Sequence, residues 1–136
     1  MDPTVLTDVF QEAIDCFNDP SRHGRPPYDA LGDLLHIDIE MGEVDGPQNV
    51  HVPKTNVLPY LKNKQAPLLP QFHQDTSQRY VAGQNRGRRG LIAGIGTYQD
   101  SKVQNTPTYP VVYTFIFERN NNNNWLIKRG FAVPQK

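Results

Sequence analysis

The side chains of this chain that could do chemistry recur at every second position. His36, Asp38 and Glu40 alternate with Ile37, Ile39 and Met41, and on a β-strand that spacing puts the polar three on one side. A carboxylate held in an apolar cavity has its charged form disfavoured, so its pKa rises into the range of a general base. Asp38 and Glu40 are therefore candidate bases, the alternative being a solvated polar face. His73, Asp75, Ser77 and Arg79 form a second alternating row, followed by Tyr80. His73 beside Asp75 suggests an oriented imidazole that touches a ligand. Same-face neighbours on one strand stand about 7 Å apart, so a mixed polar face, for instance at a dimer surface, is the alternative.

Arg129 shares its alternation with Trp125, Ile127, Phe131 and Val133. It would project from an apolar face into a pocket, where its planar fork suits a carboxylate or carbonyl ligand. Alternatively it forms a structural ion pair with Asp38, Glu40, Asp75 or Asp100, or packs its stem and sends its head to water. Tyr98 and Tyr113 could offer hydroxyls to the same ligand, with Trp125 beside them. As strand aromatics all three also suit a core.

Other chemistries find little support. Lys plus Arg and Asp plus Glu both number 14, so no global charge draws the chain to nucleic acid or to a membrane surface. The one basic cluster, Asn85-Arg86-Gly87-Arg88-Arg89-Gly90, reads as a solvated hairpin end. Gly94-x-Gly96 has no helix after it and lacks the rest of a dinucleotide fingerprint. The four histidines are scattered and Cys16 is the one cysteine. No metal site, cofactor or intramolecular disulfide is therefore expected. Cys16 reads as a small buried hydrophobe. No apolar run approaches the roughly 20 residues that span a bilayer, and no signal peptide is apparent. A soluble, cytoplasmic protein is expected.

The elements that must position these residues follow from periodicity. Val5, Leu6, Val9, Phe10, Ala13, Ile14 and Phe17 recur at three- and four-residue steps, predicting an amphipathic helix that Asn18-Asp19-Pro20 stops. Asp2-Pro3-Thr4 offers cap chemistry before it. A short helix over 28–35 leads into the strand from His36, which Gly46-Pro47 breaks. A helix from Pro53 through Lys64 follows, with Pro59 predicting a late start or a kink. The rest reads as sheet: 71–83, 89–100, 109–119 and 125–133. Gly94 and Gly96 suggest a bulge or a close backbone approach. The five asparagines 120–124 read as a hairpin loop, since Asn tolerates left-handed backbone and bonds its own main chain. Helices first and antiparallel strands last predict an α+β fold.

Two motifs add a resemblance. Gly94-Ile95-Gly96-Thr97-Tyr98-Gln99-Asp100 and the pair Tyr113-Thr114-Phe115-Ile116-Phe117-Glu118-Arg119 with Trp125-Leu126-Ile127 resemble the nuclear transport factor 2-like superfamily. The likeness is to its SnoaL-like branch and to the association domain of calcium/calmodulin-dependent kinase II. The resemblance implies one domain over 1–136: a cone, with N-terminal helices packed in a strongly curved antiparallel sheet. It also implies an internal pocket for a small organic ligand and a homodimer paired through the convex sheet. Such proteins include isomerases, cyclases, dehydratases and non-catalytic binding or assembly modules, so the fold leaves activity open. Where small bacterial relatives carry a histidine-rich closing strand, this chain has Lys128, Arg129, Gly130, Phe131 and Ala132. The expectation is a ligand-binding SnoaL-like protein. The alternatives are a cofactor-independent enzyme using Asp38 or Glu40 as base, and an assembly module.

Overall fold

The apolar repeat of the N-terminal segment folds into α1 (Leu6–Asn18), which buries Leu6, Val9, Phe10, Ala13, Ile14 and Cys16. The computed structural model describes residues 5–45, 48–64, 69–83, 87–101 and 106–135, with the backbone alone at 37–45, 48–57 and 64. The cap read at Asp2-Pro3-Thr4 and the break at Gly46-Pro47 lie outside the described residues. A 3-10 turn (Arg22–Gly24) and α2 (Asp29–Gly32) lead into β1 (Leu35–Asp45) and β2 (Gln48–Pro53). Then come α3 (Lys54–Lys64), β3 (Gln71–Ala82), β4 (Arg89–Gln99), β5 (Thr108–Arg119) and β6 (Trp125–Pro134).

These strands form one curved, unclosed six-stranded sheet in the order β2-β1-β6-β5-β4-β3. Two features depart from the sequence expectation. β2 is an added strand, so Pro53 ends a strand and α3 opens at Lys54, with Pro59 held inside the helix. β1 also pairs with β6 in parallel, whereas the other pairs are antiparallel. The two strands are far apart in sequence, so no tight turn dictates their direction.

The sheet bends where its pairing slips. In β6, Ile116 faces Arg129 while Phe117 faces Ile127, which leaves Lys128 as an extra residue. In β3, Gln74 pairs with Gly96 and Arg79 with Gly94, so 75–78 stand opposite Ile95 alone. β1 slips between Leu35 and Glu40. Each insertion bends its strand and can reset which side its residues face.

α1 lies in the resulting hollow. The Phe10 ring sits 5.4 Å from Tyr113, 5.1 Å from Phe115 and 6.1 Å from Phe117. At the other end of the helix, the Asn18 amide donates to the Phe72 carbonyl at 2.7 Å and accepts from the Phe72 N–H at 2.8 Å. The asparagine run closes the β5–β6 hairpin: the Asn120 side-chain oxygen accepts from the N–H groups of Asn122 and Asn124, and Asn123 takes φ 65°.

Gly94 and Gly96 allow β3 to cross close over β4. A Cβ on Gly96 would collide with the His73 carbonyl oxygen, and one on Gly94 would stand 2.6 Å from that of Gln78. Both obstacles are backbone. Gly96→Ala should therefore lower stability by about 2 kcal/mol or more, read as a fall in urea midpoint at unchanged m-value. An unchanged midpoint would show that β3 does not pass so close.

Candidate functional site

On the concave side of the sheet, the missing side chain of Gly94 leaves the room that the Tyr113 hydroxyl fills, and Arg79 stands on the other side of it. Tyr113 of β5 and Arg79 of β3 stand in register on either side of Gly94. The Tyr113 oxygen lies 2.9 Å from where a Gly94 Cβ would be. Tyr113 is 1% exposed, and its hydroxyl has no hydrogen-bond partner among the described residues. Burial pushes the phenol pKa up, with Arg79 acting against that shift and Asp75 adding to it. The phenol therefore stays protonated at neutral pH.

Arg79 is half-buried and donates to the Gln74 side-chain oxygen at 3.2 Å. Gln74 in turn donates to Gln11 at 2.7 Å, and Gln11 to Asp15 at 2.9 Å. A chain of amides thus runs from the sheet along α1. Asp75 belongs to a separate turn, accepting from the Ser77 N–H at 3.0 Å, the Ser77 hydroxyl at 2.6 Å and the Gln78 amide at 2.9 Å. These bonds hold its carboxyl below the usual range.

The expected site residues separate. Tyr113 lies in the core facing α1. Tyr98 packs against the same core, in register with Phe72 and Tyr109. Trp125 is 1% exposed; it packs over Gly90 beside Leu6, with the Arg119 guanidinium 4.2 Å from its ring centroid. Arg129 corrects the sequence reading. The extra residue Lys128 resets the alternation, so Trp125, Ile127 and Gly130 are buried while Arg129 and Phe131 are exposed on the convex side. His73 is exposed on that side too, in register with Thr97, and Asp75 orients Ser77 and Gln78 rather than the imidazole. Glu40 pairs in register with Arg129, and Asp38 lies in the slipped stretch of β1; the side chains of both lie outside the described residues. The sequence reading missed Gln74 and Gln11 and put Arg79 on the His73 face. The signal was the glycine pair, which marked the crossing without saying what it redirected.

The convex side carries the largest exposed apolar groups of β3 to β6. Tyr80 (66% exposed), Ile95, Val112 (47%) and Phe131 (45%) lie along two adjacent register rows, Tyr80–Ala93–Thr114–Phe131 and Ile95–Val112–Val133.

No protein-family model matches the sequence, and no curated protein matches it. Solved structures do. An NTF2-like protein with a cystatin-like fold from Novosphingobium aromaticivorans superposes with TM-score 0.69 at 12% identity, over 95% of this chain and 79% of that one. A CaMKII hub from S. rosetta gives 0.71 at 9% identity, over 95% and 93%. A ketosteroid isomerase-like protein from Erwinia carotovora atroseptica gives 0.65 at 12% identity, over 97% and 95%. This chain has the NTF2-like fold. At such identities the likeness speaks for the fold alone. No helix among the described residues is long and apolar enough to cross a membrane.

A second polar cluster fastens the loop after α1. Arg22 donates to both oxygens of Glu12 at 3.0 Å, His23 meets one of them at 2.6 Å, and the Cys16 thiol lies 3.6 Å away. The Arg22 hydrogen bonds hold the Glu12 carboxyl down at about 2, against an ordinary 4.5. Burial, reinforced by Glu12, pushes the Cys16 thiol up to about 12. Cys16 therefore stays a thiol and makes a poor nucleophile. Because the Glu12 pKa is depressed on folding, its contribution is complete above pH 4.5 and fades as pH falls towards 2. Glu12→Gln should cost about 1–2 kcal/mol at neutral pH after allowance for solvent screening. Urea unfolding from neutral to acidic pH should show the variant losing less stability than the parent across that window.

Proposed function

We propose that this protein is a homodimeric, cytoplasmic binding protein that holds a small organic ligand in the cone at Tyr113 and Arg79. One juxtaposition carries the reading: of the two buried hydroxyls without a partner among the described residues, Tyr28 and Tyr113, that of Tyr113 stands in register with Arg79 across Gly94. Leaving such a group unpaired costs about 1–3 kcal/mol, and Phe would fill the same space without that cost. A hydroxyl kept under those terms is explained by a ligand that accepts its hydrogen. Tyr98, on the same side of the sheet, is a further proposed contact. The convex rows of Tyr80, Ile95, Val112 and Phe131 are the proposed seat of a second copy, because contiguous exposed apolar surface of this kind favours association.

The isomerase-type alternative, with Asp38 or Glu40 as base, is the weaker reading. The described side chains around Tyr113 bring hydrogen-bond donors, and Asp75, which acts electrostatically on Tyr113, is committed to its own turn.

Two measurements test the proposal. Tyr113→Phe should leave stability unchanged or raise it by about 1 kcal/mol, while weakening retention of any small molecule found by native mass spectrometry of the purified protein. A clear loss of stability would mean that the hydroxyl is already satisfied, and the ligand reading would fall. The parent should sediment as a dimer at micromolar concentration, and Phe131→Glu combined with Val112→Lys as a monomer. A monomeric parent would rule out the dimer.

A further inference from the structure

We infer that the ligand of the concave site is a small organic anion, a carboxylate on an apolar body, gripped by the Arg79 guanidinium and the Tyr113 hydroxyl. The inference rests on the ligand-binding reading and adds the chemical class. The two side chains that meet across Gly94 both offer hydrogen-bond donors, and of the two the guanidinium can only donate. Arg79 carries five N–H donors and spends one on the neutral Gln74 oxygen; among the described residues no carboxylate lies within ion-pair distance of it. The Gln74 amide nitrogen is taken up by Gln11. Tyr113 has an O–H to give and, being kept protonated by burial, remains a donor.

A half-buried positive charge with no carboxylate in ion-pair reach among the described residues is an arrangement that an anion relieves. Asp75 does not fill that role, since its two oxygens already accept three hydrogen bonds within its turn. A carboxylate matches the guanidinium fork and leaves an oxygen for the phenol. The Phe10, Phe72 and Phe115 rings pack on that of Tyr113 at 5.4, 5.5 and 6.0 Å between centroids, so the surroundings are apolar and suit an apolar body behind the anion.

The test compares matched probes, benzoate and phenylacetate against benzamide and phenylacetamide, titrated into isotope-labelled full-length protein and followed by amide chemical shifts. The carboxylates should move the amide signals of Arg79, Gly94 and Gly96 with a Kd about tenfold or more below that of the amides, the worth of one charge-assisted contact. Arg79→Met should abolish the preference, and Arg79→Lys should retain part of it. If the neutral probes bind as tightly as the anionic ones, the anion inference is wrong while the pocket stands. If neither set perturbs those signals at millimolar concentration, both the inference and the ligand reading fail. The parent comparison decides by itself, so a variant that does not fold leaves the result intact.

Discussion

The structure depends on a sheet that must bend around a helix. α1 buries a whole apolar face, and a flat sheet would touch only a line of it. Insertions in β3, β6 and β1 supply the bend, because an extra residue on one strand tightens its local twist. The hollow so formed receives Phe10, whose ring meets three consecutive inward aromatics of β5. Asn18 then joins the helix end to β3 through a reciprocal pair of hydrogen bonds.

That same bending distributes the polar residues. Side chains alternate strictly along a strand, so one inserted residue moves everything beyond it to the other face. Lys128 sends Arg129 outward and brings Gly130 in, where a side chain would meet the Phe115 ring. The four residues 75–78 separate His73, which is exposed, from Arg79, which stands beside Tyr113 across Gly94. The Asp75 turn holds this insertion in shape. Arg79 owes its place to a defect in pairing, not to the strand pattern.

Satisfied and unsatisfied polar groups lie in different parts of the molecule. The Glu12, Arg22 and His23 cluster satisfies its charges and ties a loop to α1, as a structural network should. Around Tyr113, among the described residues, a buried hydroxyl has no partner and a guanidinium rests on a neutral amide. Departures from local satisfaction of this kind concentrate where a protein meets something else.

Much of the fold was legible in the residues themselves. The three- and four-residue apolar spacing of Leu6 to Ile14, the alternation of 109–119 and 125–133, and the turn chemistry of 120–124 are local properties, and they placed α1, β5, β6 and the hairpin loop within a residue or two. β2 and the parallel β1–β6 pair were not legible, since strand partnership between distant segments leaves no local trace. The site divided in the same way. Tyr113 lay where its strand phase put it, and Gly94 and Gly96 announced a close crossing. Arg79 and Arg129 exchanged their expected sides, because a bulge is decided by what the sheet must wrap around. By itself the sequence determined the elements and the types of side chain on them. Only the tertiary structure decided which face each side chain occupies, because curvature is a demand of packing, and it is met by slipping strands whose alternation cannot record the slip.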